Sequence, residues 1–289
     1  MNQDRSSVFA ILAAVAALFL LQAVLWRCVC VISRLGPRLQ RYAAGRPAWV
    51  RATSLRGSFR ASYPGPYAVL AARFAPGSAT GLPLTLMCLG ALYAAALLGG
   101  LIADLREIEG LVGLDHGVNA FFAPYRTPSV IEAFMWITAL GAGPATAGMV
   151  AVASALLWSQ GQTRLLLPLW ITFLGAQGTT WAGKYAIARP RPAFLDAVTA
   201  ASPSFPSGHA TASTALIGFL AYVIAGGLPD LRARYEVVFW SAAVIGLICF
   251  SRIFLSLHYL SDVAAGVLVG VFWLLVGFAV AEFDRRPPA

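Results

Sequence analysis

The chain has 289 residues, 59% of them hydrophobic and only 11% charged, with a mean hydropathy of +0.73. A soluble domain carries close to a quarter of its residues as charges, so that class is excluded. Basic residues outnumber acidic ones 21 to 12, a formal net charge of +9, but the excess is local. Arg34, Arg38, Arg41, Arg46, Arg51, Arg56, Arg60 and Arg73 fall between Ser33 and Gly81 with no acid among them. A basic block set between long apolar runs reads as a membrane-facing loop, not as a nucleic-acid surface.

A bilayer core about 30 Å thick needs about 20 apolar residues per helix. Seven windows of that kind run along the chain, at 8–26, 82–103, 131–158, 165–186, 210–228, 236–254 and 260–281. The first is longer than the apolar region of a signal peptide, and no small-residue cleavage site precedes the arginine block, so it reads as an uncleaved anchor. Positive residues stay on the cytoplasmic side, which places the Pro/Gly/Arg-rich 33–81 linker inside. Counting spans from there puts 104–130, with Asp104, Glu107, Glu109 and Asp115, on the far side and returns Arg232, Arg234, Arg285 and Arg286 to the inside. By the same count 187–209 and 255–259 share the outer face. No repeat, low-complexity tract or alternating strand pattern occurs. The expected fold is all-α, a polytopic transmembrane helix bundle.

Ionisable residues are scarce enough to be taken singly. The histidines are His116, His209 and His258, and Lys184 is the single lysine. Lys184 is followed by Arg191-Pro192, then by Pro206-Ser207-Gly208-His209, then by Ser251-Arg252, His258 and Asp262. All lie at the outer ends of spans. The chemistry these residue types suggest is phosphoryl transfer. Lys184, Arg191 and Arg252 supply cations, and the two arginines can grip phosphate oxygens with paired N–H donors. Ser207 and Gly208 precede an apolar run and so sit at a helix N-terminus, where free backbone N–H groups favour an anion. His258 and Asp262, spaced i, i+4, share a helix face. A carboxylate on one ring nitrogen fixes the tautomer and leaves the other nitrogen as a nucleophile. His209 then remains as the general acid for the leaving oxygen.

Each piece taken alone has a plainer reading. A boundary arginine snorkels, a Pro-Ser-Gly turn leads into a helix cap, and an i, i+4 His/Asp pair makes a structural hydrogen bond. Gathered at one face of a charge-poor bundle, five basic groups and an aspartate have no plain reading, because ionisable groups at membrane depth are costly and usually functional. His116 is read as an interface residue with no assigned role.

Lys184-x6-Arg191-Pro192, Pro206-Ser207-Gly208-His209 and Ser251-Arg252-x5-His258-x3-Asp262 resemble, in this order, the three signature motifs of the type 2 phosphatidic acid phosphatase superfamily. That superfamily holds membrane lipid phosphatases, soluble acid phosphatases and vanadium haloperoxidases. The resemblance covers residues 82–281, whose six spans match the six-helix core of the membrane members. It implies a six-span phosphatase domain over 82–289; the anchor and linker over 1–81 depart from the family pattern and lie outside that core. It implies phosphate binding by Lys184, Arg191, Ser207, Gly208 and Arg252, proton donation by His209, a phosphohistidine on His258 and orientation of that ring by Asp262. No metal and no cofactor enter that scheme. Arg189-Pro190 duplicates the Arg-Pro element two residues early, and spacing favours Arg191 as the phosphate ligand. The stretch Gly81-Leu82-Pro83-Leu84-Thr85 is similar to the lead-in of members fused behind a DedA-type membrane domain, which points toward polyprenyl-phosphate recycling.

The expected activity is hydrolysis of a lipid phosphomonoester or diphosphate at the outer face of a bacterial inner membrane. Undecaprenyl diphosphate comes first among substrates, then phosphatidylglycerol phosphate or phosphatidic acid. Two competing readings use the same residues. One is a phosphotransferase that passes the group to an acceptor such as lipid A. The other is a non-catalytic transporter or scaffold for anionic lipid, against which stands the placement of the charges at helix ends instead of the bilayer midplane. The haloperoxidase reading is remote, since those members are soluble.

Overall fold

The computed structural model describes residues 2–44, 47–75, 81–107, 109–192 and 202–283. The chain divides into two compact units, Met1–Ala71 and Ala72–Ala289. In the first, α1 (Asn2–Ala44) and α2 (Pro47–Ser62) are followed by α3 (Pro64–Arg73). The stretch expected to be a linker is therefore largely helical. Arg, Ala and Leu are good helix formers, and Pro47 and Pro64 stand first in their helices, where a missing N–H costs nothing. Among the described residues, the apolar window of α1 is Val15–Gly36, which overlaps the 8–26 expected from the sequence.

The second unit is built of α4 (Leu82–Glu107), α5 (Glu109–Phe122), α6 (Pro128–Ala139), α7 (Gly143–Ser159), α8 (Leu166–Ile187), α9 (Gly208–Gly227), α10 (Leu231–Phe254) and α11 (Leu260–Phe283). No strand occurs among the described residues. Two expectations are corrected here. The window 131–158 is not one helix but two, interrupted at Leu140–Ala142. Pro144 has no N–H to give and its ring would strike the carbonyl of Leu140, so α6 must stop and α7 restart with the proline in its first turn. The segment 104–130, taken as a loop, instead completes α4 and forms α5 and a single 3-10 turn.

Among the described residues six helical stretches are long and apolar enough to cross a membrane, and α8 is not among them although it has 22 residues. Gln177, Thr179, Thr180 and Lys184 dilute it. Its buried face explains the tolerance: Leu169, Phe173, Ala176, Thr180 and Lys184 all point into protein, so neighbouring helices, not lipid, receive its polar groups.

Helix α11 packs against α4, α8 and α9. Small residues make this close approach: a Cβ at Gly266 would meet Ser207 O at 2.6 Å, and one at Gly270 would meet Thr214 Cβ at 2.6 Å. Between α7, α8, α9 and α11 lies a core of Val150, Leu169, Phe173, Leu216 and Phe219. A second cluster joins Phe254, Leu255 and Leu257 to Phe122, Phe134 and Phe250, with the Phe134 and Phe254 rings 4.5 Å apart. It braces the turn that carries His258.

Candidate active site

The C-termini of α8 and α10 and the N-termini of α9 and α11 converge on one cavity of about 200 Å³. Lys184, Arg191, Gly208, His209, Arg252 and His258 line it, and Ser207 and Asp262 are fully buried beside it. The sequence-predicted site residues are thus brought together.

Each arrives there by a local device. Helix α8 ends because Ala188 turns left-handed, at φ 49°, its N–H returning to Lys184 O at 2.9 Å; Pro190 and Pro192 forbid continuation. The chain then runs extended through Arg189–Pro192, fastened by Ser204 N–H on Arg189 O at 2.8 Å and Ser204 Oγ on Pro190 O at 3.0 Å. Lys184 Nζ donates to Pro203 O. Ser207 N–H donates to Asp262 O at 2.9 Å, tying the start of α9 to the start of α11. At the end of α10 the N–H groups of Leu257 and His258 both return to Arg252 O, at 3.1 and 3.3 Å, so one tight turn fixes His258 relative to Arg252. Asp262 Oδ2 accepts from Tyr259 N–H at 2.9 Å, the reach-back of a capping box, which presents the carboxylate to the preceding residue, His258.

Arg191 is held on three sides. Its Nε donates to Ser202 O at 2.9 Å, its Nη1 to Leu257 O at 2.8 Å, and the same Nη1 lies 3.2 Å from His258 Nε2. On the other side of the ring, Nδ1 faces Asp262 Oδ2 at 3.5 Å. That separation is longer than a strong hydrogen bond, and Nδ1 has no hydrogen-bond partner of normal geometry. Burial pushes the His258 imidazole down to about 3, with Arg252 and Arg191 adding to the effect and Asp262 opposing it. The ring is therefore neutral at ordinary pH. Burial also lowers Arg191 from its usual value, against the pull of Asp262.

Arg252 is 6% exposed and donates from Nη1 to Thr138 Oγ1 at 2.9 Å, while its Nε has no partner. Ser207 Oγ is likewise buried without a hydrogen bond. Buried polar atoms left unpaired cost free energy. Here they mark a place prepared for an oxygen-rich group. No cluster of metal-ligating side chains occurs among the described residues.

Sequence reasoning missed several residues. Thr138, buried on α6, holds Arg252. Gly141, in the break between α6 and α7, lines the cavity. A Cβ there would lie 2.8 Å from Ile248 Cγ2, so glycine lets this break approach α10 closely, and it would make ordinary contact with His209 at 3.4 Å. Gln177 and Trp181 also line the cavity; their i, i+4, i+7 spacing with Lys184 was a readable signal that they share its face. Arg189, the duplicate, does not line the cavity. It pairs with Asp115 at 2.8 Å and Asp262 at 2.7 Å.

Residues 164–286 match the PAP2 superfamily. Phosphatidylglycerophosphatase B of Bacillus subtilis (strain 168) is 30% identical over 187 residues, which are 64% of this chain and 91% of that relative. Among solved structures, the transmembrane PAP2 type phosphatidylglycerolphosphate phosphatase from Bacillus subtilis superposes with a TM-score of 0.61 at 24% identity, covering 67% of this chain and 95% of its own. Aquifex aeolicus LpxE gives a TM-score of 0.44 at 22% identity, covering 59% and 96%.

Proposed function

The chain belongs to the PAP2 superfamily, and on that premise we propose that it is a membrane lipid phosphatase working through a phosphohistidine on His258. The observation that carries this reading is the two-sided environment of the His258 ring, with Asp262 at Nδ1 and a guanidinium and the cavity at Nε2. With the proton on Nδ1, Nε2 carries the lone pair. It attacks the terminal phosphorus, the bond from phosphorus to the leaving oxygen breaks, and His209 protonates that oxygen. His209 then takes a proton from water, which cleaves the P–N bond and releases inorganic phosphate. Lys184, Arg191, Arg252 and the backbone N–H groups at the start of α9 stabilise charge on the transferring oxygens.

The cavity, at about 200 Å³, is smaller than the roughly 300–1,000 Å³ of sites that swallow a whole small ligand. It fits a phosphate and the first atoms of its alcohol, with the lipid chains left in the bilayer. Trp181, at the exposed rim of the cavity, stacks on the exposed ring of Tyr185 with centroids 6.0 Å apart. Aromatic pairs of this kind favour the headgroup level. The arginine-rich sequence between Ser33 and Gly81, through the preference of positive residues for the cytoplasmic side, supports an inner-membrane protein with this site on the outer face. The name of the Bacillus relative, phosphatidylglycerophosphatase B, supports trying phosphatidylglycerol phosphate as substrate before undecaprenyl diphosphate and phosphatidic acid. The test is phosphate release by detergent-purified protein from these three lipids, with no acceptor lipid present. Release from at least one supports hydrolysis, whereas no release, with the phosphoryl group passing onto added lipid A, would replace hydrolysis with transfer.

A further inference from the structure

We infer that Asp115 and Arg189 are positioning residues, which set the orientation and the effective charge of the Asp262–His258 couple from outside the cavity. The inference rests on the proposed role of His258 as nucleophile.

Both oxygens of Asp262 are spoken for. Oδ2 accepts from Tyr259 N–H at 2.9 Å and faces His258, and Oδ1 accepts from Arg189 Nη1 at 2.7 Å. A carboxylate held at one oxygen can swing about its Cβ–Cγ bond. Held at both, it keeps Oδ2 on the histidine. Arg189 is itself fixed: Nη1 also reaches Ser261 Oγ at 2.7 Å, Nη2 reaches Asp115 Oδ2 at 2.8 Å, and the guanidinium lies 4.2 Å from the centroid of the Tyr259 ring. Asp115 closes the frame. Its Oδ1 accepts from Ser261 N–H at 3.0 Å and its Oδ2 from Ser261 Oγ. Three separate pieces of chain, α5, the segment after α8 and the start of α11, meet in this one network.

The charges give the frame its second role. Asp115 is 1% exposed and Asp262 0%, so both carboxylates depend on protein partners. Arg189 paired with Asp262 alone would neutralise it, and a neutralised carboxylate stabilises an imidazolium poorly. Shared between two carboxylates, the single guanidinium leaves negative charge on Asp262 for the cation that forms at His258 when Nε2 attacks. Neither Asp115 nor Arg189 lines the cavity, so substrate binding does not pass through them.

The test compares phosphate release at saturating and limiting lipid for wild type, Asp115→Asn, Arg189→Gln and His258→Ala, with each change to Asp115 or Arg189 repeated in an Asp262→Asn background. Outer partners that orient metal-ligating histidines typically contribute about 10- to 100-fold, and partners that orient a nucleophilic histidine through its carboxylate are taken on the same scale. Asp115→Asn and Arg189→Gln are accordingly expected to lower kcat on the order of 10- to 100-fold with KM changed less than about threefold. In the Asp262→Asn background the same changes are expected to cost almost nothing further, since their effect travels through Asp262. Arg189→Lys keeps a cation but cannot span both carboxylates, so it serves if Asp115→Asn does not fold, and its kcat is expected to fall likewise. Wild-type kcat in these variants, a loss confined to KM, or losses that multiply undiminished in the Asp262→Asn background would each overturn the inference. Wild-type turnover by His258→Ala would instead remove the reading on which it rests.

Discussion

Arg191 Nη1 lies 3.2 Å from His258 Nε2. A guanidinium only donates, so Nε2 is the acceptor and the ring proton resides on Nδ1, toward Asp262. On the proposed mechanism the cation thus marks the attacking nitrogen and sits where phosphate oxygens arrive. Removing a preorganised donor of this kind costs on the order of 100- to 1,000-fold in turnover. Arg191→Ala is expected to lose kcat/KM on that scale, and Arg191→Lys to recover only part of it, because a point cation cannot replace the planar fork. Steady-state phosphate release from a detergent-solubilised lipid phosphate checks this.

Thr138 Oγ1 accepts the Nη1 hydrogen of buried Arg252. Thr138→Val keeps the volume and removes the acceptor, leaving a buried charged donor unpaired at a cost of about 1–3 kcal/mol. Thermal unfolding in detergent is expected to shift down, and kcat/KM to fall several-fold, although Thr138 does not line the cavity. Unchanged melting and unchanged kinetics would contradict this role for Thr138.

Gly266 and Gly148 form an internal comparison. A Cβ at Gly266 meets the backbone oxygen of Ser207 at 2.6 Å and Ala210 Cβ at 2.9 Å, whereas at Gly148 nothing lies within 4 Å. Gly266→Ala is expected to force α9 and α11 apart, weaken the Ser207 N–H to Asp262 O link and destabilise by about 1–3 kcal/mol. Gly148→Ala, which fills empty space on a helix, is expected to be neutral or slightly stabilising. Paired melting curves decide.

Much of this was legible in the sequence. Apolar windows place the spans, and the spacing of Lys184, Arg191, Ser207–His209, Arg252, His258 and Asp262 names the residues that meet. Residues whose significance is tertiary were not legible. Asp115 reads as one more loop acid, since nothing local shows that it answers Arg189, 74 residues away. Thr138 reads as a helix residue, since its partner is 114 residues on. The break at Leu140–Ala142 had a local signal in Gly141, Gly143 and Pro144, but uninterrupted hydropathy masks it. Helix α8 reads as lipid-facing because composition does not say which helices are sheltered by others.

His258 titrates with a definite sign. Burial holds the folded-state value near 3, and the unfolded value is about 6.5. Between the two, the unfolded chain binds a proton that the folded chain refuses. Stability is therefore full above about pH 6.5 and falls as pH drops toward 3. The melting temperature of wild type is expected to decline from pH 7 to pH 5, and His258→Gln to decline less. An identical pH dependence in both proteins would contradict the burial of a neutral ring.

The most direct test of the phosphohistidine mechanism is to mix the protein with lipid carrying a radiolabelled terminal phosphate, quench in alkali within the first turnover and locate the label by mass spectrometry. Acid-labile phosphate on His258 is expected in wild type and none in His258→Ala, which also releases no phosphate. Phosphate release at the wild-type rate by His258→Ala, or label on another residue, would contradict it.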